Sequence, residues 1–270
     1  SASLVGSEMC IRDSNNTMTV NGDFLVTNSA MAFSFNIHLN LYGSFALDGG
    51  CTWSQPTNRY IYFYSNDLGE TIETNGISLA RVQFNGNGEW TLLDDLYAPN
   101  EIQFAKGSFI SGGNRIHTDY RVHAAFGNTT SLDFTGTDSI FVGYEWHVHT
   151  SNTSVNMGNC VIKMGPFANH FTFNGGNSTY ADIDVENTST GSHNVNFSHN
   201  NIYGDIDVIA YGTQNVNFYN NSTYGDVTVD YTKVANTSST PRIHGLNAFD
   251  SFDLTVSGTL KPNLYIDQDN

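Results

Sequence analysis

The residues best placed for chemistry in this 270-residue chain are carboxylates set in a recurring phrase. It reads Tyr180-Ala181-Asp182-Ile183-Asp184-Val185, then Tyr203-Gly204-Asp205-Ile206-Asp207-Val208, then Tyr224-Gly225-Asp226-Val227-Thr228-Val229. Paired carboxylates are the acid and base of glycosidases. Oxygen-rich ladders also suit a hard cation, which makes Asp182, Asp184, Asp205, Asp207 and Asp226 candidate metal ligands; no cofactor is expected, with calcium as the alternative. Repetition weighs against catalysis, because a reacting carboxylate occurs once and these recur with every copy. The Gly-Gly-x-Gly-x-Asp nonapeptide of calcium-binding β-rolls is absent.

Three further groups of side chains are candidates. Tyr180, Tyr203 and Tyr224 recur with the phrase and would form a column able to bind a ligand. Tyr60, Tyr62 and Tyr64 alternate with Ile61 and Phe63, so they share one strand face and would offer a stacking platform for sugar rings, or pack across strands. His147 and His149 share a face and lie close enough to share a metal, with no third ligand assignable. Asp94-Asp95 is one more carboxylate pair. The chain has no Walker loop, dinucleotide fingerprint, Gly-x-Ser-x-Gly elbow or His-Glu-x-x-His motif.

The elements that must position these residues follow from the same phrase. Phe173, Phe197 and Phe218 keep step with the three tyrosines, giving a period of roughly 21–24 residues, the range of one solenoid coil. Within a copy, apolar and polar residues alternate as in half-buried strands: Ile183 and Val185 point inward, as do Val195 and Phe197. Asn200-Asn201 and Asn220-Asn221 mark corners, since Asn tolerates left-handed backbone and bonds its own chain. A rung this short cannot bury its apolar face alone, so copies must stack. The fold class expected is all-β: a parallel β-solenoid, as a right-handed β-helix.

Residues 15–270 are expected to form one continuous solenoid, with 15–75 open to a second reading as a distinct β part or β-sandwich. Asn21-Gly22 marks a tight turn there, and residues 33–41 alternate as one strand with His38 facing water. No stretch carries apolar residues at helical spacing, and no apolar run is long enough to span a bilayer. A net charge of −16, from 26 acids and 10 bases, excludes the basic footprint that nucleic acid requires. Cys10, Cys51 and Cys160 are too scattered for a disulfide framework or zinc site.

Residues 1–14, SASLVGSEMCIRDS, lack the alternation, and GSEMCIRDS resembles translated sequencing-adapter read-through. A non-native or disordered leader is expected there. The end at Gln268-Asp269-Asn270 carries no cap, so a piece of a longer polypeptide is expected.

The stretch from Glu70-Thr71-Ile72 and Asn75-Gly76-Ile77 through Val82-Gln83-Phe84-Asn85-Gly86-Asn87-Gly88-Glu89-Trp90-Thr91-Leu92 continues with Gly107-Ser108-Phe109-Ile110 and Leu132-Asp133-Phe134. Together these motifs, over most of residues 60–185, resemble the long solenoid regions of large secreted surface proteins of Bacteroidetes, many of which carry a type nine secretion sorting domain. The resemblance implies a secreted or cell-surface location and an adhesin-like, non-enzymatic role, with polysaccharide or a surface protein as partner. The competing expectation is a carbohydrate-active β-helix enzyme, a polysaccharide lyase or glycoside hydrolase, with non-repeating charged residues in an acidic cleft.

Overall fold

The computed structural model describes residues 2–4, 17–27, 30–34, 36–124, 126–148, 152–165, 170–188, 193–199, 201–211, 214–220, 222–232, 239–256 and 264–267. Among them are 28 strands and no helix, and the strands pair in parallel as a solenoid of about ten turns. Successive strands along the chain occupy successive faces, so each pairs with its counterpart one turn on.

Face one is built from Thr17–Val20, His38–Leu41, Ile61–Phe63, the first parts of Arg81–Leu92 and Glu101–Ile110, Arg121–Ala124, Glu145–Val148, Phe171–Asn174, His193–Ser198, Gln214–Tyr219, Thr240–His244 and Tyr265–Asp267. Face two starts with Ala2–Leu4, Phe24–Val26, Phe45–Ala46 and Glu70–Glu73. It continues through the second parts of the two long strands to Thr130–Asp133 and Thr153–Asn156. Face three begins as the separate pair Ala32–Ser34 and Thr52–Ser54. It then runs Leu96–Tyr97, Ile116–Thr118, Ser139–Val142, Val161–Met164, Ile183–Asn187, Ile206–Ala210, Thr223–Tyr231 and Ala248–Val256.

The core is a set of like-on-like stacks, because the same inward position recurs at the spacing of paired strands, about 4.8 Å. Phe63 lies on Phe84 at 4.9 Å between ring centroids, Phe197 on Phe218 at 5.3 Å and Tyr203 on Tyr224 at 4.8 Å, the planes of each pair nearly parallel. Trp90, Trp146 and Phe109 fill the interior beside them and are buried. Burial of each large ring removes apolar area worth about 2–3 kcal/mol from water, and stacking adds to it.

Rungs are less uniform than the phrase suggested. Val82 meets Ile102, 20 residues on, whereas Trp146 meets Phe173, 27 residues on. The corners absorb the difference. Asn75, at φ 51°, and Asn220, at φ 69°, take the left-handed backbone expected of corner asparagines. Asn200 and Asn221 lie outside the described residues, while Asn201 is buried and its amide donates to the carbonyl of Ser198 at 3.0 Å.

Two local expectations are corrected. Residues 33–41 do not form one strand: Ala32–Ser34 lies on face three and His38–Leu41 on face one, with a bend between them and Phe35 outside the described residues. Alternation survives because a side chain that points inward before a shallow corner points inward after it. Conversely, Arg81–Leu92 stays one strand across two faces. Gly86 makes that bend possible, since a Cβ there would sit 1.9 Å from the Ser65 carbonyl oxygen. Asn21-Gly22 turns the chain between adjacent faces and closes no hairpin.

The region 15–75 belongs to the same stack from Thr17 onward: Thr17–Val20 pairs with His38–Leu41, which pairs with Ile61–Phe63, which pairs with the start of Arg81–Leu92. Within the leader, Ala2–Leu4 pairs in register with Phe24–Val26, and residues 5–14, Cys10 included, lie outside the described residues. Three residues are too few for alternation to be visible in the sequence. Cys51 and Cys160 are buried free thiols, and burial pushes Cys160 up to about 12, so its thiolate is suppressed. No helix among the described residues is long and apolar enough to cross a membrane.

Candidate functional site

The parallel register converts the outward residues of face one into columns. One column runs His38, Tyr60, Arg81, Glu101, Arg121, Glu145, and its neighbour runs Asn40, Tyr62, Gln83, Gln103, His123, His147. The first rungs carry aromatics and the next ones charge.

The aromatic part is a continuous platform. Tyr60 stacks on Tyr62 at 5.4 Å, Tyr62 on Tyr64 at 5.5 Å, and Tyr64 on Tyr42 of the preceding rung at 5.7 Å. His38 lies 5.5 Å from Tyr62, and its Nδ1 accepts the backbone N–H of Tyr60. Burial, then the charge of Arg59, lowers the His38 pKa, so the ring is neutral at physiological pH. These side chains are half-buried, with Tyr42 exposed, so part of the stack meets solvent. Tyr60, Tyr62 and Tyr64 thus share one face and pack across strands against Tyr42 and His38.

The charged part is a ladder of alternating sign. Glu101 has no exposed side-chain surface, lies between Arg81 at 3.4 Å and Arg121, and accepts short hydrogen bonds from the Tyr60 hydroxyl and Arg121 Nε. Burial alone would raise its pKa. Hydrogen bonds within this cluster of Gln103, Tyr60 and Arg121, with the Arg121 charge, more than offset that and hold it below the usual carboxylate value. Burial and then Glu101 push the Tyr60 hydroxyl up to about 12. Arg121 also reaches Glu145 at 3.9 Å, and His147 Nδ1 lies 3.5 Å from the same carboxylate. The hydrogen bond from His147 is the main cause that lowers the Glu145 pKa. His123 stacks on His147 at 5.0 Å, and burial followed by the His147 charge lowers its pKa. His149 lies outside the described residues.

No protein-family model, curated protein or solved structure matches the chain. The site is therefore read from its own chemistry.

The other candidates fall elsewhere. Tyr180, Tyr203 and Tyr224 are 3%, 4% and 1% exposed, which places them in the core and not on a ligand-facing surface. The Tyr180 hydroxyl donates to the Gly175 carbonyl at 2.7 Å and accepts from Trp146 Nε1 at 3.2 Å. The physical reason is a phase slip. Tyr203 and Ile206 both point inward with two residues between them, so a corner there breaks the alternation that would have placed the tyrosine outside.

The aspartates do face outward, in single file. Asp182 Oδ1 accepts the Asp205 N–H, Asp205 Oδ1 accepts the Asp226 N–H, each at 2.9 Å, and Ser251 donates to Asp226 at 2.8 Å. Asp184 and Asp207 are register neighbours in the adjacent column. No group of three or more His, Cys, Asp or Glu side chains able to hold a metal occurs among the described residues. Asp94 caps the Thr74 N–H at 2.8 Å and Asp95 the Arg115 N–H at 2.8 Å, so that pair too fastens neighbouring rungs. Sequence reasoning missed Glu101 and its arginines. The signal was there, as opposite charges at positions 81, 101, 121 and 145, one rung apart.

Proposed function

We propose that this chain is a non-enzymatic, adhesive segment of a large secreted or cell-surface bacterial protein, a stiff rod whose face one contacts glycan. The observation that carries this reading is the partly exposed stack of Tyr42, Tyr60, Tyr62 and Tyr64 on and beside the strands of face one. Flat aromatic surface of this kind complements the C–H faces of sugar rings, and the sheet's rigidity keeps the ordering cost of binding low.

One observation favours a carbohydrate-active enzyme instead: Glu101, Arg121 and Glu145 bring two carboxylates and a basic group together on the same face. Their chemistry argues against it. A glycosidase needs one carboxyl kept protonated, whereas both glutamates are held below the ordinary carboxylate value and Glu101 is clamped between arginines.

The test is a glycan array probed with the full chain, with and without calcium, followed by mass spectrometry of any bound oligosaccharide. Intact bound glycan, lost in Tyr62→Ala, supports the adhesive reading. Cleaved glycan replaces it with the enzyme, and binding that Tyr62→Ala leaves untouched removes face one from the account.

A further inference from the structure

Face three carries its own outward column, unrelated to the tyrosine platform. In register it runs Tyr97, His117, Phe141, Lys163, Asp184, Asp207, one residue per rung. The first three form an aromatic stripe: Tyr97 lies 4.6 Å from His117, and His117 5.5 Å from Phe141. Asp119 fixes two of these rings, accepting from the Tyr97 hydroxyl at 2.7 Å and pairing with His117 Nε2 at 2.9 Å.

Two clefts meet at Phe141. One, of about 290 Å³, lies toward Tyr97 and His117, and the other, of about 380 Å³, lies toward Lys163 and Asp184. The second has Met164, Val185 and Ile209 in its wall and Asp184, Glu186 and Asp207 at its rim. Lys163 sits over the Phe141 ring at 5.9 Å and is the one cation in this lining, against the three carboxylates of Asp184, Glu186 and Asp207. Three carboxylates against one ammonium leave excess negative charge in a cleft whose far end is the Phe141 ring, a combination that selects a cation carried on an apolar-faced body.

The backbone narrows the choice of ligand. Ser139–Val142 is paired on both sides, by Ile116–Thr118 and Val161–Met164, and Ile183–Asn187 likewise by Val161–Met164 and Ile206–Ala210. An extended peptide therefore finds no free strand edge here to add to. Recognition must come from side chains spaced one rung apart, as suits a chain of stacked rings.

We propose that this column is a second glycan-binding surface, and that its ligand is a polymer of amino sugars with free ammonium groups. Rings stack on Tyr97, His117 and Phe141 while ammonium groups reach Asp184, Glu186 and Asp207. Burial, which raises the Asp184 pKa, marks its carboxylate as one that gains from a cationic ligand. The proposal concerns a different face and does not require face one to bind.

The test is calorimetric titration of the full chain with glucosamine oligomers and with the matching N-acetylated oligomers, at mildly acidic pH. Glucosamine oligomers should bind about tenfold or more tighter, the scale of a charge-assisted contact, and weaken as salt is raised. Phe141→Ala, and Asp184→Asn with Asp207→Asn, should each lose about tenfold, while Leu68→Ala, at an exposed position outside both surfaces, binds as wild type. The asparagine pair keeps size and outward position, so it decides the question even if Phe141→Ala fails to fold. No binding, equal affinity for the acetylated oligomers, binding unchanged in Asp184→Asn with Asp207→Asn, or tighter binding of a lysine-rich peptide would each overturn the proposal.

Discussion

The carboxylate of Asp182 accepts the backbone N–H of Asp205, the matching residue one rung on, at 2.9 Å. A column of like charges that would otherwise repel is thus held by amides of the next rung. The arrangement also dictates the residue before Asp205. A Cβ at Gly204 would meet Asp182 Oδ1 at 2.4 Å, and one at Gly225 would meet Asp205 Oδ1 at 2.5 Å. Asp182 is the first aspartate of the series, and the residue before it is Ala181. Gly204→Ala and Gly225→Ala should therefore each cost about 1–3 kcal/mol in a urea midpoint, and Ala181→Gly less than either. Equal costs at the three positions would count against the column as drawn.

Glu101 is the buried counter-charge of Arg81 and Arg121. Glu101→Gln should cost roughly 1–3 kcal/mol, because it leaves Arg81 without its carboxylate and Arg121 with Glu145 alone, at 3.9 Å. A thermal midpoint within the error of wild type would refute the pairing.

The same group sets an acid limit. Glu101 and Glu145 are both lowered in the folded state. The unfolded chain then holds more protons near the ordinary glutamate pKa of about 4.3, so their stabilisation is complete above that value and drains as pH falls through it. His123, also lowered, has the same sign but begins its loss at the ordinary histidine value of about 6.5. Stability measured against pH should fall in two stages on the acid side, and Glu101→Gln should flatten the lower one.

Phe197 lies between Phe173 and Phe218 in the core, at 6.2 and 5.3 Å. Phe197→Ala should cost about 3–5 kcal/mol, and Phe197→Asp should raise hydrogen exchange across residues 171–174 and 214–219 as well as its own rung. Exchange confined to residues 193–198 would mean that rungs do not share a core.

Tyr180→Phe removes the donor to the Gly175 carbonyl and the acceptor of the Trp146 indole N–H, both buried. A cost of about 1–3 kcal/mol is expected in chemical denaturation. Glycan binding should not change, since Tyr180 presents no surface.

What the sequence disclosed, it disclosed through local rules. Val195, Phe197, Val216 and Phe218 announce an inward face by alternation, and the recurrence of their phrase announces stacking. What it concealed depends on phase and register. The slip between Tyr203 and Ile206 turns a tyrosine inward, and no two-residue periodicity can foresee it. The pairing of Glu101 with Arg81 and Arg121 is visible only once the rung length in that region is known, and the repeated phrase lies elsewhere. The tyrosine face was legible because Tyr60, Tyr62 and Tyr64 sit at alternate positions on and beside one short strand, Ile61–Phe63, and need no register at all.

The unequal rungs have a consequence for how such a chain changes over time. Between Trp146 and Phe173 the chain spends seven more residues than between Val82 and Ile102, yet both pairs meet in register. Insertions and deletions are thereby steered to the corners, where they lengthen a loop without moving any column. A one-residue insertion inside a strand would turn every later side chain on it to the wrong face. The corners are the places to graft a foreign loop, and the faces can be rewritten by substitution alone.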